Sequence, residues 1–530
     1  MLTYYVVVPI LSAVFLYLFP NAKAARLTAI MAQIGMVIAA AYLFAISDYY
    51  TYIYTVIGGY ESVMGLILRV DTLSAAFVLL TTFMFLIAAV YSFHENNSKL
   101  FWTLLFLWQG TIIGIFVAGD FFNIFVLLEV ATVVVTVMIM YNRKNRALYD
   151  GMIYLMINVI IVQFYLVAAG YIYKITGTLD WEMSRVAFAH MDRQDLILPY
   201  AMLMTFVALK CALLPLYSWL PKAHGTPGAP SSVSALLSGL HIKSGIYLLV
   251  RFQSIFEPIA MPEIFLAVGL ITALLGVIMS MSQKDIKLIL AYSTIAQVGL
   301  IIIGFSIGYA YNYNYIGSLY HIINHAIFKA ALFLSAGVVT YAYGTRDITK
   351  IRGVLKKMPL LATAKILAIL GIIGTPLFNG SISKYFLTTG IEWWLNTLMI
   401  VVNLGTITIF MKYSTIFFGE PKGEVVVKTD IWRHGPIFLL GVMCFLGGIF
   451  GVWAIGFLFR LEAAVDFMGY LEKAGIYAAS MIVGYLLYKH WVSKSKFLNK
   501  VRTIDMGFRE MCLSMGAFLG LMLIIVGFIG

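Results

Sequence analysis

Seven ionisable residues stand where water should be scarce. Glu129 interrupts AGDFFNIFVLLEVATVVVTVMIMY, Lys210 interrupts LPYAMLMTFVALKCALLPLYSWL, and Lys243 lies in SSVSALLSGLHIKSGIYLLVRF. His321, His325 and Lys329 share GSLYHIINHAIFKAALFLSAG, and Lys384 follows a proline break in AILGIIGTPLFNGSISKYF. A charge at the centre of a bilayer costs about 2.5–3.5 kcal/mol on insertion scales, so such residues face a protein interior and mark a pathway. A series of them on separate helices reads as a proton or cation relay.

Each site carries its own chemistry. Glu129 is nine residues beyond Asp120, roughly 13 Å along a helix. If its helix packs on that of Lys210, carboxylate and ammonium can pair. The plainer alternative is a static ion pair, but buried pairs are poor stabilisers because desolvation can exceed the Coulomb gain. Lys243 has the small neighbours Ser238, Gly239, Ser244 and Gly245 and no acid on its own helix. A desolvated lysine exchanges its proton readily and suits a carrier role. His241, two residues away, faces elsewhere and reads as packing or hydrogen bonding. His321, His325 and Lys329 recur at i, i+4 and i+8, one polar stripe on an apolar helix. A histidine pair at i, i+4 could be half of a metal site, but the lysine one turn on would repel a metal. Proton relay fits better. Lys365, six residues past Pro359, is close enough to the cytoplasmic face to snorkel and stays outside the core set.

The elements that must hold these residues are membrane helices. The chain has 530 residues, 62% hydrophobic and 11% charged, and apolar runs long enough to cross roughly 30 Å of hydrocarbon fill most of it. About sixteen spans begin near Leu2, Leu27, Asp71, Leu100, Phe121, Gly151, Leu196, Ser231, Ile264, Lys287, Tyr315, Leu360, Trp393, Ile437, Phe467 and Met511. The start MLTYYVVVPI lacks a basic segment and cleavage site, and so reads as a retained helix. Basic residues cluster in alternate loops: Lys23 and Arg26; Lys99; Arg143, Lys144 and Arg146; Lys222; Lys284 and Lys287; Arg346 to Lys357; Lys422 to Arg433; and Lys489 to Arg509. That alternation places both termini outside the cytoplasm and accounts for the net charge of +12 without a nucleic-acid partner.

Tyr49–Leu68 is too polar and β-rich to span, and Gly58-Gly59 suggests an external hairpin. Thr178–Asp195 reads as an external loop or short surface helix. Two helices carry breakers: Lys210 precedes Pro215 and Pro221, while Gly374, Pro376 and Gly380 precede Lys384. Unwound backbone in a bilayer is tolerated only where it is buried or lines a wet cavity. Paired interrupted helices point to inverted-repeat transport rather than ordinary kinks.

What is missing narrows the function further. There is no GxxxxGK[ST] loop and no Rossmann fingerprint. Cys211, Cys444 and Cys512 are scattered without zinc or iron–sulfur spacing. No cofactor or metal is implied, and the drive must come from an ion gradient or a redox partner.

AGDFFNIFVLLEV resembles the fifth-helix motif of Mrp-type cation/proton antiporter subunits. LKCALLPLYSWLPKAHGTPGAPSSVSALLSGLHIKSGIYLLVR resembles the seventh- and eighth-helix signature that those subunits share with the antiporter-like subunits of membrane-bound hydrogenases and respiratory complex I. KDIKLILAYSTIAQVGL, HIINHAIFKAALFLSAG and GTPLFNGSISK continue the match in order, over roughly Asp71 to Gly419. The resemblance implies an all-α polytopic membrane protein with about fourteen core helices in two inverted five-helix repeats, two of them broken, plus about two further C-terminal helices. The corresponding segments are 1–99 with the hairpin, 100–253 and 262–419 for the repeats, and 436–530 for the C-terminal helices. By the same resemblance Glu129 modulates the half-channel lysine Lys210, and Lys243 is the central lysine. His321 and His325 lie on the central axis with Lys329 beside them, and Lys384 is the exit lysine. Lys222 departs from the pattern, standing where the loop motif commonly carries an acid.

The implied function is translocation of protons, with sodium as the other candidate ion, by one component of a multi-subunit complex in the plasma or inner membrane. Its partners would be the other membrane subunits and the lipid bilayer. Mrp-type antiporters and membrane-bound hydrogenases or ferredoxin-linked reductases are favoured by the form of AGDFFNIFVLLEV. A complex I subunit, a stand-alone secondary transporter and a non-transporting anchor are the alternatives.

Overall fold

Apolar runs of about twenty residues have one low-energy conformation in lipid, the helix, because it satisfies every backbone donor and acceptor within the segment. The computed structural model describes residues 1–18, 22–58, 65–95, 97–226, 229–308, 312–421 and 424–528. Among them, twelve helices are long and apolar enough to cross a membrane, and Thr3–Leu18 and Pro359–Ile373 are shorter apolar helices. A helix begins within six residues of each of the expected span starts. Many of the starts are capped by aspartate side chains: Asp71 accepts from the Ser74 N–H, Asp120 from Asn123, Asp180 from Met183 and Asp285 from Leu288. Such caps satisfy donors left open by the first turn.

In chain order the helices are α1 (Thr3–Leu18), α2 (Ala22–Ile46), α3 (Thr72–Tyr91), α4 (Lys99–Val117), α5 (Phe121–Ile139) and α6 (Asn145–Thr176). There follow α7 (Trp181–Phe188), α8 (Arg193–Lys210), α9 (Trp219–Gly225), α10 (Ser231–Leu236) and α11 (Ile242–Ile255). Next come α12 (Pro262–Ser282), α13 (Ile286–Ile307), α14 (Tyr313–Tyr343), α15 (Val354–Lys357), α16 (Pro359–Ile373), α17 (Asn379–Leu387) and α18 (Trp393–Ser414). The chain ends with α19 (Ile431–Ile449), α20 (Gly451–Phe459), α21 (Phe467–Leu487), α22 (Lys496–Val501) and α23 (Phe508–Phe528). Between α2 and α3, β1 (Ile53–Ile57) and β2 (Leu66–Val70) pair antiparallel with Ile53 opposite Val70. The hairpin is present, although Gly59, like Lys422, lies outside the described residues. The polar segment after α6 forms the short helix α7, with Trp181, Ser184 and Phe188 buried.

Two compact units divide the chain. One comprises Met1–Ala229, Leu240–Met261 and Met506–Gly530; the other comprises Pro230–Gly239 and Pro262–Asp505. In the first, α5 packs on α6, α6 on α8, and the last helix α23 on α8 and α6. In the second, α12 and α13 meet backbone to backbone. A Cβ on Gly276 would lie 2.6 Å from the Ala296 nitrogen, and one on Gly299 would lie 2.6 Å from the Ala273 nitrogen. The helix α21 packs on α18 in this unit. The expected C-terminal spans therefore belong to different units, and of the two only α23 is among the twelve helices apolar enough to cross a membrane.

Three expectations change. α6 starts six residues earlier than hydropathy suggests, because Arg146 and Asp150 pair at 3.0 Å along its first turns and offset each other's charge. Lys222 is buried in α9, and no open loop carries it. Lys365 does not snorkel: it is 0% exposed, and its ammonium lies 4.8 Å from the centre of the Tyr413 ring, a cation–π contact.

Candidate functional site

Both breaks form where the sequence placed them. α8 ends at Lys210, and Ala212 takes a left-handed φ of 51°. α16 ends at Ile373; Gly374 has φ 80° and Leu377 φ 70°. A residue other than glycine in that region is strained and signals a conformation fixed by its surroundings. Each break frees backbone groups that must find partners. At the first, the Trp219 indole donates to the Leu209 carbonyl at 2.7 Å, and the Leu213 N–H bonds the Ala208 carbonyl at 2.8 Å. At the second, Gly380 sits so close to α16 that a Cβ would be 1.9 Å from the Gly371 oxygen.

In the first unit, Lys210 is 3% exposed. Its ammonium donates to Asn158 Oδ1 on α6 at 2.7 Å, and its Nζ lies 5.9 Å from the Phe206 ring centre. Among the described residues Lys210 makes no ion pair. Glu129 is half-buried on α5 and accepts from Gln163 of α6 at 3.5 Å. The direct Glu129–Lys210 pairing expected from sequence is therefore replaced by an indirect arrangement. α6 packs on both helices and offers an amide to each charge. Around Glu129, the α5 residues Phe122, Val126, Val130 and Val133 are exposed, an apolar face with one carboxylate in it.

Lys243 is 0% exposed and follows a π-helical turn over Leu237–His241, a distortion frequently found at functional sites. Gly245 lets α11 approach the first break, since a Cβ there would be 2.9 Å from the Lys210 carbonyl carbon. His241 bonds the Tyr154 hydroxyl at 3.0 Å and meets the Trp108 ring edge-on, in keeping with the packing role read from sequence.

The second unit contains the histidine stripe. His321, His325 and Lys329 are all 0% exposed. Lys329 donates to the Leu290 carbonyl at 2.9 Å and to the Ser293 hydroxyl. His321 Nδ1 lies 2.9 Å from Ser383 Oγ and Nε2 lies 3.0 Å from Gln297 Oε1. The neighbours fix the tautomer. Thr406 donates to the Val402 carbonyl and so accepts from the Gln297 amide nitrogen at 3.3 Å. Gln297 Oε1 then accepts from His321 Nε2–H, and in the neutral ring Nδ1 takes the Ser383 hydroxyl proton, for which the Asn379 and Gly380 carbonyls, each at 3.3 Å, are the other acceptors. His325 stacks edge-on against Phe328. On α17, Lys384 donates to the Ile372 carbonyl and to Asn403 Oδ1, both at 2.7 Å. A Cβ on Gly374 would lie 3.1 Å from Lys384 Cδ, so a side chain there would press on the lysine as well as strain the left-handed backbone.

Each unit thus holds a lysine beside a break, buried at Lys210 and half-buried at Lys384, its ammonium held by an asparagine of a neighbouring helix: Asn158 for Lys210, Asn403 for Lys384. These asparagines, with Gln163, Gln297 and Ser383, were missed by a search for charges. The signal was present as lone amides in the apolar runs YLMINVIIVQFYLV and LMIVVNLGTITIF. Such a site can hold and pass protons. Among the described residues it holds no cluster suited to electron transfer or nucleotide chemistry.

Residues 118–410 match the family model described as NADH:quinone oxidoreductase/Mrp antiporter, transmembrane. Among curated relatives, the D subunit of the Na(+)/H(+) antiporter of Alkalihalophilus pseudofirmus is 31% identical over 79% of this chain and 87% of its own length. The N subunit of the NADH-quinone oxidoreductase of Desulforudis audaxviator is 31% identical over 67% of this chain and 73% of its own. Two solved structures share the fold: a chain of the Mrp complex from a Dietzia species and a chain of an archaeal membrane-bound sulfane sulfur reductase. Both have a TM-score of 0.80, with 21% and 22% identity; they cover 92% and 91% of this chain and 99% of theirs.

Proposed function

Because this chain belongs to the NADH:quinone oxidoreductase/Mrp antiporter transmembrane family, we propose that it is the proton-translocating component of a multi-subunit membrane complex. The observation that carries this reading is the pair of lysines beside helix breaks, each tethered to a neutral amide instead of a carboxylate. A lysine locked to a buried acid would keep its proton. One held by an amide is stabilised by roughly 1.5–3 kcal/mol, enough to load and little enough to release.

Glu129 supplies the timing in this reading. A unit charge is worth about 4 kcal/mol at 4 Å and an effective dielectric constant near 20, and about half that at twice the distance. That is comparable to the roughly 2.3 kcal/mol needed to move one charge against 100 mV. When a neighbouring membrane protein of the complex pulls Glu129 away, Lys210 loses that support and passes its proton toward Lys243. His325 and Lys329 carry it to Lys384, past His321, which can hold a proton beside them. The exposed apolar face around Glu129 suits such a neighbour. Both termini lie outside the cytoplasm of a plasma or inner membrane, with Lys384 toward the exit side.

Similarity to the D subunit of a Na(+)/H(+) antiporter over 87% of that protein supports an Mrp-type or ferredoxin-linked parent complex. A proton is the ion that this set of lysines and histidines suits, and sodium would cross elsewhere in such a complex. The test is flux by the assembled complex in vesicles. Lys210→Ala should abolish it while the chain still inserts and assembles, and full gradient formation by that variant would reject the reading.

A further inference from the structure

The helix α21 lies beyond the part of the chain that matches the family model, which ends at residue 410, yet one stripe of it is bonded to the second break. Tyr470, Lys473 and Tyr477 recur at i, i+3 and i+7. The Tyr470 hydroxyl takes the Leu377 N–H at 3.1 Å and lies 2.8 Å from Ser381 Oγ. The Tyr477 hydroxyl lies 2.7 Å from Thr375 Oγ1. The Lys473 ammonium donates to the Tyr385 carbonyl at 2.9 Å and to the Thr388 and Thr389 hydroxyls at 2.8 and 3.3 Å. The strained Leu377 thus has its N–H answered by a residue of α21, and the C-terminal turn of α17 is closed by a cation, the sign that favours a helix C-terminus.

The same stripe walls a cavity. About 120 Å³ is open to the centres of water molecules, and its lining includes Lys384, Asn403, Tyr470, Lys473, Tyr477 and Ser480. That is room for several waters, with the polar partners that buried waters require. Glu472, exposed, lines it too. The opposite face of α21 is apolar and exposed at Met468, Leu471, Ile482 and Val483.

We propose that α21 is the outer wall of the proton outlet: protons leaving Lys384 pass through this cavity, and Lys473 is the positioning residue that holds α17 against it. This rests on the proton-translocating reading above. The Lys384 ammonium gives a proton to a cavity water and is left as the neutral amine. That water passes a proton on, and one proton emerges at the mouth beside Glu472. With its donors engaged, Lys473 is a fixed positive charge on the wall. Together with Lys384 it makes the outlet hostile to sodium and open to protons, which move by exchange along water.

The test places a thiol in the wall. Ser480→Cys, in the full complex in right-side-out vesicles, is treated with the membrane-impermeant anionic reagent 2-sulfonatoethyl methanethiosulfonate, and flux by each sample is compared before and after treatment. The parent chain, treated alike, is the control. The expected result is modification from the outside with at least a tenfold loss of flux. The trimethylammonium analogue should react at least tenfold more slowly, once corrected for the two reagents' rates with a free thiol. No modification from the outside, modification with flux intact, or no preference for the anionic reagent would overturn the outlet. Separately, Lys473→Met should lower flux at least tenfold and Lys473→Arg should restore it; parent-like flux in the first or no recovery in the second overturns the role of Lys473. Lys384→Ala measured alongside separates the two readings. If it abolishes flux while the reagent does nothing, only the outlet falls; if it transports normally, the relay falls as well.

Discussion

Asn158 offers the sharpest handle on Lys210, because it is uncharged and, among the described residues, is the one that accepts from the ammonium, at 2.7 Å. Asn158→Leu keeps the branched shape and removes that acceptor. A hydrogen bond to a charged group is worth about 1.5–3 kcal/mol. Its loss from a fully buried site shifts the ammonium-to-amine ratio roughly 10- to 150-fold toward the amine. Loading then becomes the slow step, and flux at neutral pH should drop by a similar factor. Asn158→Asp acts the other way, placing a carboxylate where the amide stood, so that Lys210 loads but does not release. Both variants should transport poorly, with opposite pH dependence: the optimum moves to lower pH in Asn158→Leu and to higher pH in Asn158→Asp. The assay is acidification of vesicles containing the assembled complex, read with a pH-sensitive dye from about pH 5.5 to 9 and normalised to the amount of chain. Parent-like rates and an unmoved optimum in both variants would refute the idea that Lys210 titrates during transport.

Other outcomes follow from the same geometry. Glu129→Ala should abolish pumping and Glu129→Asp reduce it only a few-fold, whereas Gln163→Leu, which removes a 3.5 Å contact, should cost less than about threefold; equal losses in vesicle assays would show that the amide matters as much as the charge. Gly374→Ala should destabilise by about 1–2 kcal/mol from its left-handed backbone and push Lys384 off Asn403, so a variant with parent-like thermal stability and flux would contradict the fit. His325→Gln should slow transfer between half-channels, and pumping at the parent rate would make His325 structural. Asp120 gives a pH signature of stability: burial pushes its carboxyl up to about 6 against the lowering effect of N–H donors from Asn123 and Ile67. The folded chain therefore holds a proton that the unfolded chain has released above its ordinary value near 4. Stability falls as pH rises through that window, by roughly 2–3 kcal/mol. Thermal unfolding in detergent at about pH 4.5 and 7 should show the slope, and Asp120→Asn should flatten it.

The sites divide sharply into those legible in the sequence and those that were not. Lys210 and Lys384 were found because charge inside apolar sequence is costly, and the breaks because proline and glycine cannot continue a helix there. Asn158, Asn403 and Gln297 escaped because an uncharged amide barely lowers the hydropathy of a twenty-residue run, so its position carries no warning. Lys365 misled for a related reason. Depth along a helix says how far a side chain is from the surface, but not whether the facing helix offers a tyrosine ring. The place of α6 beside both Glu129 and Lys210 depends on which helices pack together, and each helix's own pattern leaves that open. The division of the C-terminal spans between two units was hidden for the same reason, because packing partners are set by long-range contacts.

The bonding of His321 decides whether this residue conducts or stores. A wire needs each link to take a proton on one side and release it on the other. Gln297 cannot do so, since its amide oxygen accepts and a different atom donates. The ring therefore receives and returns protons through the one nitrogen that faces Ser383, on the α17 side. In electrical terms His321 would serve the proposed relay as a capacitor beside the line that His325 and Lys329 form. It can hold one elementary charge while Lys384 is empty and restore it when the outlet clears. A pump built this way would show a transient store of about one proton per chain in single-turnover measurements, separable in time from steady flux.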